Sequence, residues 1–217
     1  MISGLVADIF NYQSIDPDDS YAWVSVHHIV QALIFLILMA GLSWFQSLEF
    51  GFGWGDKEVG RKYLLLFVLI FSLYTVAMYT IVILASFFQP FGYPLTATNI
   101  FGQLGFQLLL SGPSEELIFR AFAMTMLAQL IKGRIFNDKV SSVNMIAAII
   151  FGLAHVGFNF APFETHYHLS QVLYSIALGL LYGDCYEKSG SIYYPMIMHS
   201  FTNVMMVGVG IIFSFIL

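Results

Sequence analysis

Residues 63–88 read YLLLFVLIFSLYTVAMYTIVILASFF, an unbroken run without a charged side chain. As a helix rising 1.5 Å per residue, a run of this length reaches about 39 Å. The hydrocarbon core of a bilayer is about 30 Å thick, so the run spans it with room to tilt. Apolar runs of similar character lie on both sides of it: His27–Trp44, Ala97–Leu110, Glu115–Ile131, Val140–Gly157, Leu169–Tyr186 and Tyr193–Leu217. The expected fold is therefore all-α, a polytopic transmembrane helix bundle. It has six or seven membrane helices, with eight as the upper bound, the count turning on whether residues 97–131 form one kinked span or two elements.

Composition supports this. The chain is 59% hydrophobic and 10% charged, whereas soluble domains carry about 25% charged residues. No Pro/Gly/Ser linker divides it, so residues 1–217 are expected to form a single integral membrane domain. The first 20 residues are acidic, with Asp8, Asp16, Asp18 and Asp19 and no basic cluster. They are expected to be a polar or interfacial segment rather than a cleavable signal peptide. The net charge is -5 and the basic residues sit in short clusters, so nucleic acid is not an expected partner. Cys185 is the single cysteine, which excludes an intrachain disulfide. A prokaryotic cell membrane is the expected location for so short a chain without sorting signals.

Basic residues fall at Lys57, Arg61 and Lys62, then at Lys132, Arg134 and Lys139, then at Lys188. The loops around Gln89–Thr96 and Asn159–His168 carry none. With six spans this alternation follows the positive-inside rule and leaves both termini outside.

Three charges interrupt the apolar pattern in SGPSEELIFR, residues 111–120. Pro113 is expected to end the helix before it and to open a new one, with Ser111 and Ser114 as caps. Charged side chains in a membrane cost at least about 2.5 kcal/mol on insertion scales and normally mark a pathway or a reactive site. Glu116 and Arg120 stand at i and i+4 on one helix face, which suits a neutralising structural pair. Glu115, about 100° round the helix from Glu116, is left over. A carboxylate in a low-dielectric site suits a general base. His155 lies in the run AAIIFGLAHVGF with Phe151 four residues earlier. His199 lies in YYPMIMHSFTNVMM with Asn203 four residues later. Each histidine alone reads most simply as an interhelical hydrogen bond. Together with Glu115 they supply a water-activating base and an oxyanion-binding group. They equally supply a His, His, Glu zinc site with an open water position.

Glu115, Glu116 and Arg120 fit E-E-x-x-x-R, Phe151 and His155 fit F-x-x-x-H, and His199 and Asn203 fit H-x-x-x-N. Three such motifs, in this order on apolar helices over residues 97–207, resemble the CPBP family of intramembrane endopeptidases. That family includes the CAAX prenyl endopeptidases and the bacteriocin-processing or immunity proteins, also called the Abi family. The resemblance implies a catalytic core at residues 97–207 and hydrolysis of a peptide bond in a peptide or protein substrate, prenylated or not. It implies that Glu115 and His155 hold and deprotonate the attacking water. His199 and Asn203 would stabilise the oxyanion, with Glu116, Arg120 and Phe151 in support. The family's metalloprotease label implies Zn2+ on Glu115, His155 and His199; a metal-free glutamate mechanism stands equally beside it. Lipid is the surrounding partner, and the oligomeric state is not legible.

Other protease patterns are missing, with no H-E-x-x-H and no G-x-S-x-G. Gly183-Asp184 has no second aspartate in a spanning run to complete a dyad, and Asp184 is placed near a helix end. Glu164, His166 and His168 read as a solvated loop, His27 and His28 as an interfacial belt beside Tyr21 and Trp23, and the ten methionines as helix filler. Two other classes compete with the hydrolase: a non-catalytic scaffold or immunity protein with a buried polar network, and a proton-coupled carrier.

Overall fold

The computed structural model describes residues 2–160 and 163–217. Its helices are α1 (Ile2–Ala7), α2 (Ala22–Phe45), α3 (Lys57–Leu84), α4 (Ala97–Phe106), α5 (Gly112–Glu116), α6 (Thr125–Leu130), α7 (Ser142–Leu153), α8 (Leu169–Ser189) and α9 (Tyr193–Ile216). Two wide π-helical segments, Gln107–Ser111 and Leu117–Met124, join α4, α5 and α6. Two small antiparallel hairpins complete the architecture: β1 (Arg134–Ile135) with β2 (Val140–Ser141), and β3 (Gly157–Phe160) with β4 (Phe163–His166).

The protein is thus a helical membrane protein, and α2, α3 and α9 are each long and apolar enough to cross a bilayer. Asp56 starts α3, its carboxylate accepting from the Glu58 and Val59 N–H groups at 3.0 Å. Gly190, left-handed at φ 66°, closes α8.

Residues 97–130 form one continuous helical run, so Pro113 does not break it as the sequence suggested. Proline lacks the N–H that an α-turn bonds four residues back, and its ring collides with that carbonyl. The wide turn over Gln107–Ser111 directly precedes Gly112-Pro113 and relaxes that register. Residues 140–157 depart from expectation too. Their helix covers only Ser142–Leu153, capped by Ser141 Oγ, which accepts from the Asn144 N–H at 2.9 Å. Twelve residues reach about 18 Å, short of the bilayer core. Likewise, the expected loop at 159–168 begins as the β3–β4 hairpin.

Contacts divide the chain into two compact units, residues 1–37, 62–115 and 196–217 in the first, and residues 38–61 and 116–195 in the second. In the first, α3 packs on α9: Phe71 meets Phe201 edge-on at 6.2 Å, and Tyr79 stacks on Phe213 while its hydroxyl donates to the Met206 carbonyl at 2.6 Å. One end of this unit gathers the N-terminal segment, the loop before α4 and the end of α9. Asn99 Nδ2 donates to Asp18 and to the Pro94 carbonyl, and the Phe91 N–H donates to Ser214.

In the second unit α7 and α8 pack closely through small residues. A Cβ on Gly183 would lie 2.0 Å from Asn144 Oδ1, and one on Gly152 would lie 2.4 Å from Ile176 Cγ1. One end of this unit gathers the loop before α3 and the turn between α8 and α9. The Asp56 N–H donates to the Ser189 carbonyl at 2.7 Å, the Ile192 N–H to the Gly51 carbonyl at 2.9 Å, and Trp54 packs on Tyr193. The N-terminal segment and the 89–96 loop thus share an end in one unit, and the start of α3 and the end of α8, with Lys57 and Lys188, share an end in the other.

The acidic N-terminus is built in rather than loose. Asp16 is fully buried. Its carboxylate accepts from the N–H groups of Ser20, Tyr21 and Ala22 at 2.9, 2.7 and 2.7 Å, which organises the start of α2. Burial pushes this carboxyl up, but the three N–H groups and the Ser20 hydroxyl outweigh it and hold Asp16 below the usual carboxylate range. A lowered folded-state value stabilises the fold at pH above the unfolded value of about 3.9, and that stability fades as pH falls through the folded value. Asp16→Ala is therefore expected to cost about 1.5–3 kcal/mol at pH 7. Thermal unfolding in detergent should show the gap to wild type closing below about pH 4. A gap independent of pH would contradict the carboxylate's role.

Candidate active site

The residues of the sequence motifs divide between two polar clusters, one in each unit. The first unit carries Glu115, His199 and Asn203. A Cβ on Gly112 would lie 2.8 Å from the Ser200 backbone nitrogen and 3.2 Å from the His199 carbonyl carbon. Only glycine lets α9 come this close to α5, and the approach sets His199 beside Glu115. His199 Nε2 lies 4.0 Å from Glu115 Oε2, with the histidine side chain 7% and the glutamate 21% exposed. Asn203, one turn further along α9, donates from Nδ2 to Ser111 Oγ at 3.1 Å, and Ser111 Oγ donates to Glu115 Oε1 at 3.5 Å. Glu115 is therefore no solitary carboxylate. It sits between a serine on one oxygen and a histidine on the other, in a mostly buried site that keeps an opening.

Three members of this cluster escaped the sequence reading. Ser111 and Ser114 are not caps: Ser114 Oγ donates to the Ser111 carbonyl at 3.1 Å inside the continuous helix. His28 is not part of an interfacial belt. Its Nδ1 lies 2.6 Å from Ser114 Oγ, and its ring meets Phe106 edge-on at 5.1 Å. Which of the two donates follows the tautomer of His28. The signal for the serines was present in the i, i+3 and i, i+4 spacing of Ser111, Ser114 and Glu115. It is visible only once Pro113 is allowed inside a helix. Nothing in the sequence placed His28 on this site.

The second unit carries Glu116, Arg120, Phe151 and His155. Glu116 and Arg120 pair at 2.9 Å, 0% and 1% exposed. Arg120 Nη2 also donates to the Gly179 carbonyl at 3.1 Å, and the guanidinium lies 4.5 Å from the Phe151 ring centre and 5.4 Å from that of Tyr182. Gly179 leaves room for this, since a Cβ there would lie 3.2 Å from Arg120 Nη2. Phe151 in turn meets His155 edge-on at 5.1 Å. His155 does not sit inside a helix; it lies in the turn after α7. Its Nδ1 donates to the Phe151 carbonyl at 2.9 Å. A carbonyl can only accept, so Nδ1 carries the proton and Nε2 of the neutral ring keeps its lone pair. This cluster turns an ion pair, through an aromatic ring, into a support for one oriented histidine.

Among the described residues no three His, Cys, Asp or Glu side chains are grouped closely enough to hold a metal, the near donors in the first unit being Glu115 and His199. Glu164 and His166 pair at 3.6 Å on the β3–β4 hairpin, both more than half exposed. Asp184 pairs with Lys188 at 2.8 Å in the last turns of α8, near the helix end where it was expected.

No curated protein and no solved structure matches the chain. The family model described as type II CAAX prenyl endopeptidase Rce1-like matches residues 97–205. The match takes in half of the chain, including α4 to α8, most of α9, and every residue of the three motifs. The chain belongs to the type II CAAX prenyl endopeptidase Rce1-like family.

Proposed function

We propose that the protein is an intramembrane endopeptidase of a prokaryotic cell membrane whose general base is Glu115. In this mechanism the Glu115 carboxylate takes a proton from water, and the oxygen of that water attacks the scissile carbonyl carbon. His199 and Asn203, on one face of α9, donate to the oxyanion that forms. When the C–N bond breaks, the proton held by Glu115 passes to the leaving amine. The family motif adds His155 as a second partner of the water, a role that rests on the resemblance, while its committed Nδ1 proton leaves Nε2 able to accept. Glu116, Arg120 and Phe151 position that histidine.

One observation carries the proposal: a carboxylate 4.0 Å from a histidine, with an asparagine one turn away, in the interior of an apolar chain of this family. Substrates with a prenylated C-terminal cysteine are the class the family suggests. Zn2+ on Glu115, His155 and His199 is the competing way to activate the water, and no step above depends on it.

The test is cleavage of farnesylated and unmodified CAAX peptides by purified wild type, Glu115→Gln and His155→Ala, with and without a chelator. Cleavage by wild type that is lost in both folded variants supports the proposal, and loss on chelation assigns the water to a metal. Full activity in Glu115→Gln overturns it. Inactive wild type with strongly destabilised variants would favour a non-catalytic scaffold.

A further inference from the structure

Ser111 is the hinge of the first cluster, and no motif includes it. It closes the wide turn Gln107–Ser111 and is 7% exposed. Its hydroxyl oxygen lies 3.1 Å from Asn203 Nδ2 and 3.5 Å from Glu115 Oε1. A serine hydroxyl has one proton to give and lone pairs to receive. The amide nitrogen only donates and an ionised carboxylate only accepts. One direction satisfies all three: Asn203 donates to Ser111, and Ser111 donates to Glu115. Two features make the arrangement possible. The helix continues through Pro113, so the i, i+4 spacing puts Ser111 on the face of Glu115, and Gly112 admits α9 so that Asn203 reaches it.

We propose that Ser111 is a positioning residue that couples the oxyanion-binding asparagine to the general base. By holding Oε1, it turns Oε2 toward His199 and the water; by accepting from Asn203, it fixes the rotamer of that amide. Both ends of the reacting carbonyl's environment are set by one hydroxyl. This deepens the proposed hydrolytic mechanism and rests on Glu115 being its base.

The test compares Ser111→Ala and Ser111→Thr with wild type and Glu115→Gln. Two quantities are read: kcat and KM on a farnesylated CAAX peptide, and the infrared carboxylate stretch identified by its loss in Glu115→Gln. Ser111→Ala should lower kcat about 10- to 100-fold, the range for one hydrogen bond to a charged group, with KM within about twofold of wild type. It should also shift the carboxylate band. Ser111→Thr, which keeps the hydroxyl, should restore both. Unchanged kcat and an unshifted band in Ser111→Ala overturn the proposal. So does a lower kcat with an unshifted band, which marks a structural effect only. If Ser111→Thr fails to fold, the band in Ser111→Ala decides alone. If Glu115→Gln still cleaves, the base assignment fails separately, while a shifted band would still establish the contact between Ser111 and the carboxylate.

Discussion

Arg120→Met is expected to destabilise the protein by about 3–5 kcal/mol, more than any other single substitution proposed for this chain. Arginine and Glu116 are both shut away from solvent and lipid at 1% and 0% exposure. Removing the guanidinium leaves the carboxylate buried without its main counter-charge, and the Gly179 carbonyl loses its donor. The stacked ring of Phe151 loses its cation as well, and with it the support beneath His155. The pair itself need not add much stability, because desolvation offsets most of its attraction. The double variant Glu116→Leu/Arg120→Met should therefore recover most of the loss. Thermal unfolding in detergent distinguishes the two, and an Arg120→Met protein that unfolds like wild type would show that Glu116 is neutralised by another group. The double variant also separates shape from charge: if it is stable yet inactive, the pair serves the site as well as the fold.

Glu115→Gln should lower kcat about 10²- to 10⁴-fold, the range in which a positioned general base contributes. The amide keeps the shape of the carboxylate and can still accept from Ser111, so the fold should be little affected. It cannot take a proton from water. The expected result is thus a protein with near-wild-type thermal unfolding and almost no cleavage, the opposite pattern from Arg120→Met. Adjacent residues, Glu115 and Glu116, would then separate cleanly into a catalytic and a structural carboxylate. A Glu115→Gln protein that unfolds early while retaining activity per folded molecule would reverse that assignment.

The pairing of Glu116 rather than Glu115 with Arg120 was legible in the sequence because it follows from helix geometry alone. At 3.6 residues per turn, Glu116 and Arg120 share a face and Glu115 does not. The 2.9 Å pair is the local consequence. The same local logic gave the long apolar helices α2, α3 and α9. It failed at Pro113, where a rule true of α-turns does not hold after a wide turn, and so Ser111 and Ser114 were read as caps. It failed at residues 140–157, where an apolar run ended early because the chain turns at Ala154–Val156 into a hairpin. Hydrophobicity says that a segment avoids water; it does not say where a helix stops.

The sequence by itself determined the solvent this chain folds in, the family it belongs to and the pairing of charges one helical turn apart. Each of these depends on residue type and on spacing along a single helix. Only the tertiary structure decided what surrounds Glu115. His28, Ser111, His199 and Asn203 come from three parts of the chain, and the α9 pair reaches Ser111 and Glu115 because Gly112 has no side chain to keep α9 away. Such a meeting depends on how helix surfaces fit, and that is set by packing among distant residues rather than by any local pattern.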